Sequence, residues 1–419
     1  MNQSTAFSAA DILLPEQNRM SEAWAVCACD QYTGEPAYWA ETERLVGEKP
    51  STLRLILPEV YLEDDDVTER IAKIQQSMQD YLKDGVFAEY QNAMVYIERI
   101  QSDGKMRAGL IGKIDLEQYD YNKGSVSPVR ATEATVPERI PPRVRIRRGA
   151  ALELPHIMIL LDDVKKTVIE PLEAQTDRMQ KLYDTKLMQG GGSIRGWLVP
   201  AEEQTRILAA LTALGTESGE EHPLVYAMGD GNHSLATAKA FYEEWKAANP
   251  GADTENCPMR YALVELVNLH SPALQFEAIH RILNQIDPKK LLEDMTAALD
   301  LRSDEIAAQA FTIVCRGRKM VFYIHRPTSN LTVGSVQSFL DAWLKENGGK
   351  IDYIHGADVV EKLAEDENSL GILLPDMQKS ELFPTVIKDG ALPRKTFSMG
   401  HAADKRFYME CRRITADAE

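Results

Sequence analysis

The segment VYAMGDGNHSLATAK, residues 225–239, decides the fold class because an apolar strand pattern turns directly into a helical pattern. The turn contains Asp230 and Gly231, and His233 falls where the helical pattern begins. A helix N-terminus has backbone N–H groups without intrahelical partners and a partial positive charge, so it attracts anions such as phosphate. The segment therefore predicts an anion site at the junction of a strand and a helix.

Two interpretations of this turn are open from the motif alone. Asp230 and His233 are three residues apart, so both reach one pocket if the helix begins by Asn232. Alternatively, Asp230 or Asn232 only caps the helix and His233 is a surface histidine. The rest of the chain has to decide between a binding site and a helix cap.

Length and charge limit the classes of function. The 419 residues exceed the roughly 100–200 residues of one domain and predict two or three packed units. The net charge of −17 opposes binding to a nucleic acid. The one basic run, residues 139–148 with five arginines, fits a phosphorylated small molecule or a solvated loop. We therefore expect small-molecule partners and no nucleic acid, whereas the oligomeric state is not indicated.

The charge leads to a first prediction. We expect no appreciable binding of duplex DNA at physiological salt, because the chain repels a polyanion and has no basic recognition helix. A gel-shift or anisotropy titration measures this binding. Sub-micromolar affinity that falls with added salt would contradict the prediction.

Cysteine usage and hydropathy indicate the compartment. The five cysteines are odd in number and scattered, and Cys27-Ala-Cys29 lacks the two-residue gap of a zinc knuckle. We therefore expect a reduced, cytoplasmic setting. The first twenty residues are polar, and the longest apolar stretches, such as residues 157–161, are too short to span a bilayer. Neither export nor membrane insertion is expected.

Hydrophobic periodicity predicts a mixed α/β (α+β) fold with three regions, residues 1–124, 125–248 and 249–419. The predicted helices cover residues 67–82, 163–182, 205–214, 288–299 and 336–345. The predicted strands cover residues 53–57, 94–100, 109–114, 156–161, 194–199, 224–228, 280–286, 311–315, 321–324, 371–374, 395–399 and 407–411. Three pairs of them are predicted to be neighbours: 94–100 with 109–114 around the Asp103-Gly104 turn, 311–315 with 321–324, and 395–399 with 407–411. Residues 128–148 are predicted as a long loop over a site, because Pro137, Pro141 and Pro142 interrupt a helical backbone ladder.

Several polar residues are candidates for chemistry. Glu133 precedes the proline-rich stretch and could accept a proton from a substrate hydroxyl. Asp162 and Asp163 follow an apolar strand, where one carboxylate could bind magnesium and one could cap the helix predicted to start there. Lys395 and His401 could contact an anion or serve as charges at a strand edge. The remaining histidines have no metal-ligand spacing and no Gly-x-Ser-x-Gly motif occurs, which disfavours zinc and serine hydrolases.

An ordered set of motifs resembles the domain-of-unknown-function 1015 family over nearly the whole chain. The motifs are Asp30 with Tyr32, Arg130-x-x-Glu133-x-Thr135, Arg143, Gly190-Gly191-Gly192-x-x-x-Gly196-Trp197, Asp230-Gly231-x-His233, and Leu392-Pro393-x-Lys395-Thr396. Glu133 followed by Asp230-Gly231-x-His233 is also similar to the motif pattern of the ParB and sulfiredoxin-like superfamily, which includes free-serine kinases. The resemblance implies a central ParB-like, phosphate-binding core at residues 125–248.

The resemblance also implies roles for these residues. Glu133 would activate the hydroxyl of a free amino acid, with serine favoured, while Asp230 and His233 would serve the phosphate end of ATP or ADP. Mg²⁺ would bridge to Asp230 or Asp162. The candidate nucleotide-binding residues are Gly231, Asn232, Ser234, Arg130, Arg143, Arg195 and Lys395. Glu133 and His233 should then line a shared cleft, with the Glu133 carboxyl within about 12 Å of the ring.

Two departures from the family pattern affect this expectation. Many members have His-Glu where this chain has Thr132-Glu133, and Asp-Gly-His-His-Arg where this chain has Ser234 in the last position. The lost arginine is a bidentate phosphate ligand whose charge serine cannot replace. The resemblance implies a small-molecule kinase, and two alternatives stay open: a nucleotide-binding ParB-like module without catalysis, and a phosphohydrolase or nucleotidase. The kinase alone needs an amino acid for nucleotide turnover.

Overall fold

The computed structural model of the chain describes residues 5–154, 156–400 and 402–415. Backbone contacts divide the chain into two compact units. Unit 1 comprises Met1–Ala131, Thr135–Leu274 and His401–Glu419, and unit 2 comprises Thr132–Ala134 and Gln275–Gly400. His401, a candidate anion contact, lies outside the described residues.

The helices and strands alternate along the chain, and the predicted mixed α/β fold class is confirmed. The helices are α1 Pro36–Val46, α2 Val67–Lys83, α3 Ile140–Arg147, α4 Ala201–Glu217, α5 Asn232–Ala248, α6 Pro288–Leu299, α7 Thr332–Asn347, α8 Ala357–Leu363 and α9 Lys379–Asp389. The strands are β1 Phe7–Ser8, β2 Ala10–Pro15, β3 Phe87–Ala93, β4 Val95–Ile100, β5 Met106–Asp115, β6 Tyr119–Asp120, β7 Val129–Arg130, β8 Leu152–Glu153, β9 Met158–Leu161, β10 Gln180–Lys186, β11 Ser193–Leu198, β12 Tyr226–Asp230, β13 Tyr261–Asn268, β14 Phe276–Ala278, β15 His280–Asn284, β16 Leu301–Arg302, β17 Gln309–Cys315, β18 Arg318–Ile324, β19 Lys350–Ile354, β20 Leu370–Leu373, β21 Phe397–Met399 and β22 Arg412–Arg413.

Unit 1 is organised by one mixed sheet. In the described part of the chain its strand order is β10-β11-β4-β5-β13-β9-β12-β7-β6, and β1 also pairs with β5. β12 is antiparallel to β9 and parallel to β7. Val95 and Ile97 of β4 pack in one hydrophobic cluster and Tyr96 packs in another, because successive strand residues point to opposite faces. Apolar side chains therefore cover both faces of the sheet, and α5 packs with the cluster that contains Tyr96.

The predicted boundaries at 124/125 and 248/249 both fall inside unit 1. The reason is the sheet, in which β4 and β5, β9 and β12, and β13 come from all three predicted regions and are neighbours. The contacts therefore define two units. The division of the chain into three separate domains stays a prediction.

Unit 2 has its own sheet. Among the described residues its strand order is β16-β18-β17-β20-β15-β19, and β14 pairs separately with β21. α8 packs on this sheet, where Val360 and Ala364 are buried. The predicted hairpin of residues 311–315 and 321–324 is confirmed as the antiparallel pair β17 and β18.

Four local predictions are wrong for physical reasons. Residues 140–147 form α3 and not a loop, because prolines in a first helical turn give up amides that have no intrahelical partner there. Residues 52–55 form a 3₁₀ helix whose first turn is capped by the Ser51 side chain. Residues 170–178 form a 3₁₀ helix and are followed by β10, so the helix at 163–182 is absent from this described segment. Residues 397–399 pair with β14 and not with residues 407–411.

Candidate functional site

The turn between β12 and α5 depends on a glycine. Gly231 is the N-cap of α5, and its backbone is left-handed with φ 78° and ψ 27°. A Cβ atom at this position would lie 3.1 Å from the Cα of Ile157, so both the dihedral angles and the space favour glycine. The chain therefore passes from strand to helix in one residue, and Asp230 immediately precedes this turn.

Asp230 does not cap α5. Its Oδ1 accepts a hydrogen bond from the adjacent Gly231 N–H over 3.0 Å, and Gly231 is the N-cap residue of α5. Its Oδ2 lies 3.1 Å from Nζ of Lys405, and both side chains are mostly buried. Since burial reduces screening by salt, this ion pair is stronger than one on an open surface. The interpretation of Asp230 as a helix cap is therefore wrong.

His233 is the second residue of α5, and its imidazole is held neutral. The Val136 N–H donates to Nε2 over 3.4 Å, so the ring proton is assigned to Nδ1. Burial and the positive charges of Arg139 and Arg143 lower the pKa of His233 to about 4. Asp30 partly opposes this shift. The neutral ring can donate a hydrogen bond from Nδ1 to an anionic oxygen.

We expect His233 to lower the stability of the protein as the pH falls. The unfolded chain takes up a proton at the ordinary histidine pKa of 6.5 and the folded chain only near 4. The stability due to this residue is therefore complete above about pH 6.5 and is lost as the pH falls towards 4. NMR titration of the ring should give a midpoint near 4, and His233→Gln should reduce the pH dependence of the melting temperature in this window. A midpoint near 6.5 would contradict the neutral assignment.

A second histidine joins three segments of unit 1 beside the first turn of α5. Nδ1 of His156 lies 2.8 Å from the hydroxyl of Tyr408, which also accepts a hydrogen bond from the Cys29 N–H. Nε2 lies 3.1 Å from Oγ of Ser234 and 3.6 Å from Oδ2 of Asp30. Burial alone would raise the pKa of Asp30, but the charges of His156 and Lys405 lower it below its ordinary value. Asp30 is therefore an ionised acceptor for His156.

The contact between Ser234 and His156 is not the nucleophile and base pair of a serine hydrolase. Because the carboxylate of Asp30 only accepts hydrogen bonds, a ring proton is favoured on Nε2, the nitrogen that faces Ser234. A base for Ser234 would need an unprotonated Nε2. This geometry agrees with the lack of a nucleophile-elbow motif in the sequence.

The arginines near His233 are supplied by α3 and the residue before it. Arg143 donates to Glu59 from Nε over 2.9 Å, and both side chains are mostly buried. Arg139 is exposed and accepts through its carbonyl from Arg143. Both arginines are close enough to His233 to lower its pKa. The structure therefore brings Arg143 to the turn, while its role in binding stays a prediction.

Arg130 points away from the turn. It lies on β7 beside β12, but its guanidinium donates to the backbone carbonyls of Ser127 and His222. These two residues precede β7 and β12, whereas Asp230 ends β12. The guanidinium therefore lies at the end of the two strands that is opposite to Asp230. Arg130 does not replace the arginine that many family members have at the position of Ser234.

Arg195 and Asp162 are also distant from Asp230. Arg195 pairs with Glu98 over 2.6 Å on β11, which is separated from β12 by four strands, a distance of about 24 Å. Asp162 follows the last residue of β9 and contacts His270, whereas Asp230 pairs with the first residue of β9. Antiparallel pairing holds the two carboxylates about 13 Å apart, so only one of these alternative magnesium ligands lies at the turn, and magnesium binding by Asp230 stays a prediction.

Two further candidates have structural roles. The carboxylate of Asp163 accepts hydrogen bonds from the backbone N–H groups of Thr167 and Val168, so it stabilises a turn and not the start of the predicted helix, which is absent from this described segment. A Cβ atom at Gly192 would lie 2.1 Å from the carbonyl oxygen of Ile100, so close packing against β4 explains this glycine. Neither observation requires a phosphate.

A profile of the family described as protein of unknown function (DUF1015) matches residues 11–343. The chain belongs to the DUF1015 family. The resemblance found in its motifs is thereby confirmed, and a search of curated proteins finds no match.

Solved structures with a detectable likeness to this DUF1015 protein include a free serine kinase in complex with AMP, with 13% identity, 73% of this chain and 92% of that chain covered, and a TM-score of 0.38. SbnI with a C-terminal truncation from Staphylococcus aureus has 10% identity, coverages of 69% and 82%, and a TM-score of 0.36. A conserved hypothetical protein from Pyrococcus furiosus has 13% identity, coverages of 69% and 90%, and a TM-score of 0.35. At these identities and TM-scores the likeness carries no argument about activity.

The other candidate residues of this DUF1015 protein belong to unit 2. Glu133 forms a parallel bridge with Leu392. Lys395 has a positive φ of 53°, and its carbonyl accepts a hydrogen bond from Arg281. The shared cleft of Glu133 and His233 stays a prediction.

The described residues include neither a cluster of metal-ligating side chains nor a membrane-spanning helix. They contain no group of three or more His, Cys, Asp or Glu side chains that could hold a metal ion. Mg²⁺ needs only one or two carboxylates when nucleotide phosphates complete its shell, so this finding does not test Asp230 as a magnesium ligand, which stays a prediction. No helix in the described ranges is long and apolar enough to cross a bilayer.

Sequence reasoning missed four residues of this site. They are Asp30, His156, Lys405 and Tyr408. Asp30 appeared only as part of a family motif, and His156 was noted only for its lack of metal-ligand spacing. The sequence gives no local signal for the other two, because their partners are far away in the chain.

Proposed function

We propose that the protein is a small-molecule kinase that transfers phosphate from ATP or ADP to the hydroxyl of a free amino acid. The observation that carries the proposal is the pairing of Asp230 with Lys405 beside the first turn of α5, where His233 is neutral. Free serine is the favoured acceptor by family resemblance. We also propose a cytoplasmic location.

The charges at this turn suit a phosphate group. Lys405 and Arg143 supply positive charge, and the helix N-terminus adds backbone N–H groups that are directed at an anion. His233 adds an Nδ1–H donor that keeps its protonation state throughout the neutral range. Fixed donors of this kind stabilise charge that develops on a phosphoryl group during transfer.

The roles of the acceptor side rest on resemblance. Glu133 would take the proton of the acceptor hydroxyl. Mg²⁺ that arrives with the nucleotide would gain one carboxylate from Asp230, and Lys405 would then pair with phosphate. Gly231, Asn232 and Ser234 would lie along the nucleotide phosphates.

The direct test is product formation. Purified protein with Mg²⁺, L-serine and either ATP or ADP should form O-phosphoserine, which mass spectrometry detects. A panel of amino acids then identifies the acceptor. Nucleotide hydrolysis that is independent of every added amino acid would replace the kinase with a phosphohydrolase, and nucleotide binding without turnover would leave a binding module.

Lys405→Met should weaken nucleotide binding by about 10-fold or more, because it removes a charge-assisted hydrogen bond from a partly buried site. Isothermal titration measures the dissociation constant. The matched control is Lys165→Met, which removes a lysine paired with Glu217 on the exposed surface. Equal affinity in the Lys405 variant and the control would show that no phosphate lies at Lys405.

A further inference from the structure

An apolar pocket opens beside the first turns of α5. Its volume is about 160 Å³, and Ser234 and Thr237 of α5 line it together with residues of α2 and α3. The walls are mostly aliphatic: Leu55, Leu57, Met78, Ala150, Leu152 and Ile157. An apolar cavity of about 150 Å³ has room for benzene, so this volume suits one ring or a branched chain of similar size.

The polar groups at the edge of this pocket are engaged with each other. His156 contacts both Ser234 and Tyr408, and Arg143 pairs with Glu59. Thr237 donates its hydroxyl hydrogen to the carbonyl of its own helix one turn earlier. Nε of Arg147 has no partner among the described residues, but the atom is enclosed and does not open onto the pocket.

This arrangement disfavours a purine as the occupant. The ring nitrogens and the amino group of a purine would lose water on entry and would face walls that are mostly aliphatic carbon. Each buried polar group left without a partner costs about 1–3 kcal/mol. A hydrocarbon group loses nothing of this kind, and it gains from leaving water.

We infer that this pocket binds a compact hydrocarbon group, a single aromatic ring or a branched aliphatic chain, on a molecule whose hydroxyl or phosphate lies at the start of α5. The placement of the polar end rests on the proposed function, whereas the placement of the apolar end rests on the pocket alone. Serine would fill only the polar end. The acceptor class is therefore a hydroxy compound with an apolar substituent, and 3-phenylserine represents it.

The test of the pocket uses toluene, a neutral probe that needs neither phosphate nor catalysis. Ligand-observed NMR should show saturable binding to the full chain, with at least 10-fold weaker binding to Ala150→Leu, whose added carbons fill the pocket. Leu62→Phe fills the pocket from another wall and replaces Ala150→Leu in the test if that variant does not fold. Leu45→Phe, a change of the same size on the exposed side of α1, should bind toluene like the natural chain.

The outcomes separate this inference from the proposed function. No toluene binding, or binding that both filling variants retain, would overturn the inference. Adenosine that displaces toluene and loses affinity in Ala150→Leu would also overturn it, because the base would then be the occupant. Toluene binding without any phosphorylated amino acid would support the pocket and remove the kinase. With an active enzyme, kcat/KM for 3-phenylserine should exceed that for serine, and Ala150→Leu should abolish the preference.

Discussion

Glu133→Gln is expected to lower the rate of amino-acid phosphorylation by about 10²–10⁴-fold while nucleotide binding persists. Glutamine keeps the shape of the side chain but cannot take the proton of the acceptor hydroxyl. The substitution therefore separates general-base chemistry from nucleotide binding. The measurements are the rate of O-phosphoserine formation and the dissociation constant of the nucleotide.

A matched variant makes this result specific. Glu277→Gln replaces an exposed glutamate of unit 2 and should leave both quantities unchanged. Equal rates in the Glu133 variant and the natural chain would remove Glu133 from the reaction. A loss of nucleotide binding together with activity would instead indicate a binding role for this residue.

Periodicity predicts several of the longer elements of the fold but not α1, α8, α9 or β13. The helices at α2, α4, α6 and α7 and the hairpin of β4 and β5 follow directly from spacing and turn residues. Periodicity carries no information about which distant strands become neighbours. In the structure β13 lies between β5 and β9, and this sheet joins strands from the three predicted regions. The sequence pattern could not predict that arrangement.

The same limit applies to the candidate site. Asp230 and His233 were predicted because a strand, a glycine turn and a helix are local signals, and both lie at the turn as expected. Arg130 belongs to a family motif and Arg195 is a candidate through its charge, but the structure pairs Arg130 with backbone carbonyls and Arg195 with Glu98. Lys405 belongs to the C-terminal segment and contacts Asp230, which is far away in the sequence. No local sequence pattern predicts this contact.

A buried ionic cluster adjoins this lysine and should control the stability of unit 1. Arg406 pairs with Glu265 and Glu410, and all three side chains are almost fully buried. Arg107 makes a second contact with Glu265. Burial alone would raise the pKa of Glu265, but Arg107 and Arg406 lower it, so the carboxylate is ionised. Its stabilising effect is present above its ordinary pKa of about 4.5 and is lost as the pH falls through the lower value of the folded state.

Arg406→Met should reduce the free energy of unfolding by about 3–5 kcal/mol, because it leaves two buried carboxylates with less compensating charge. Urea denaturation measures the loss. Arg44→Met is the matched control, since its pair with Glu41 is exposed and should contribute within about 1 kcal/mol. A loss no larger than that of the control would mean that water reaches the cluster.

The double variant Arg406→Met with Glu410→Gln tests the cause of this loss. If an unpaired buried charge causes it, neutralising Glu410 should recover part of the stability, and the two changes should not add. If lost packing causes it, the double variant should be at least as unstable as Arg406→Met. Lys405 directly precedes Arg406, so Arg406→Met should also weaken nucleotide binding at the Asp230 site. If the site depends on this cluster, the double variant should recover nucleotide affinity together with stability.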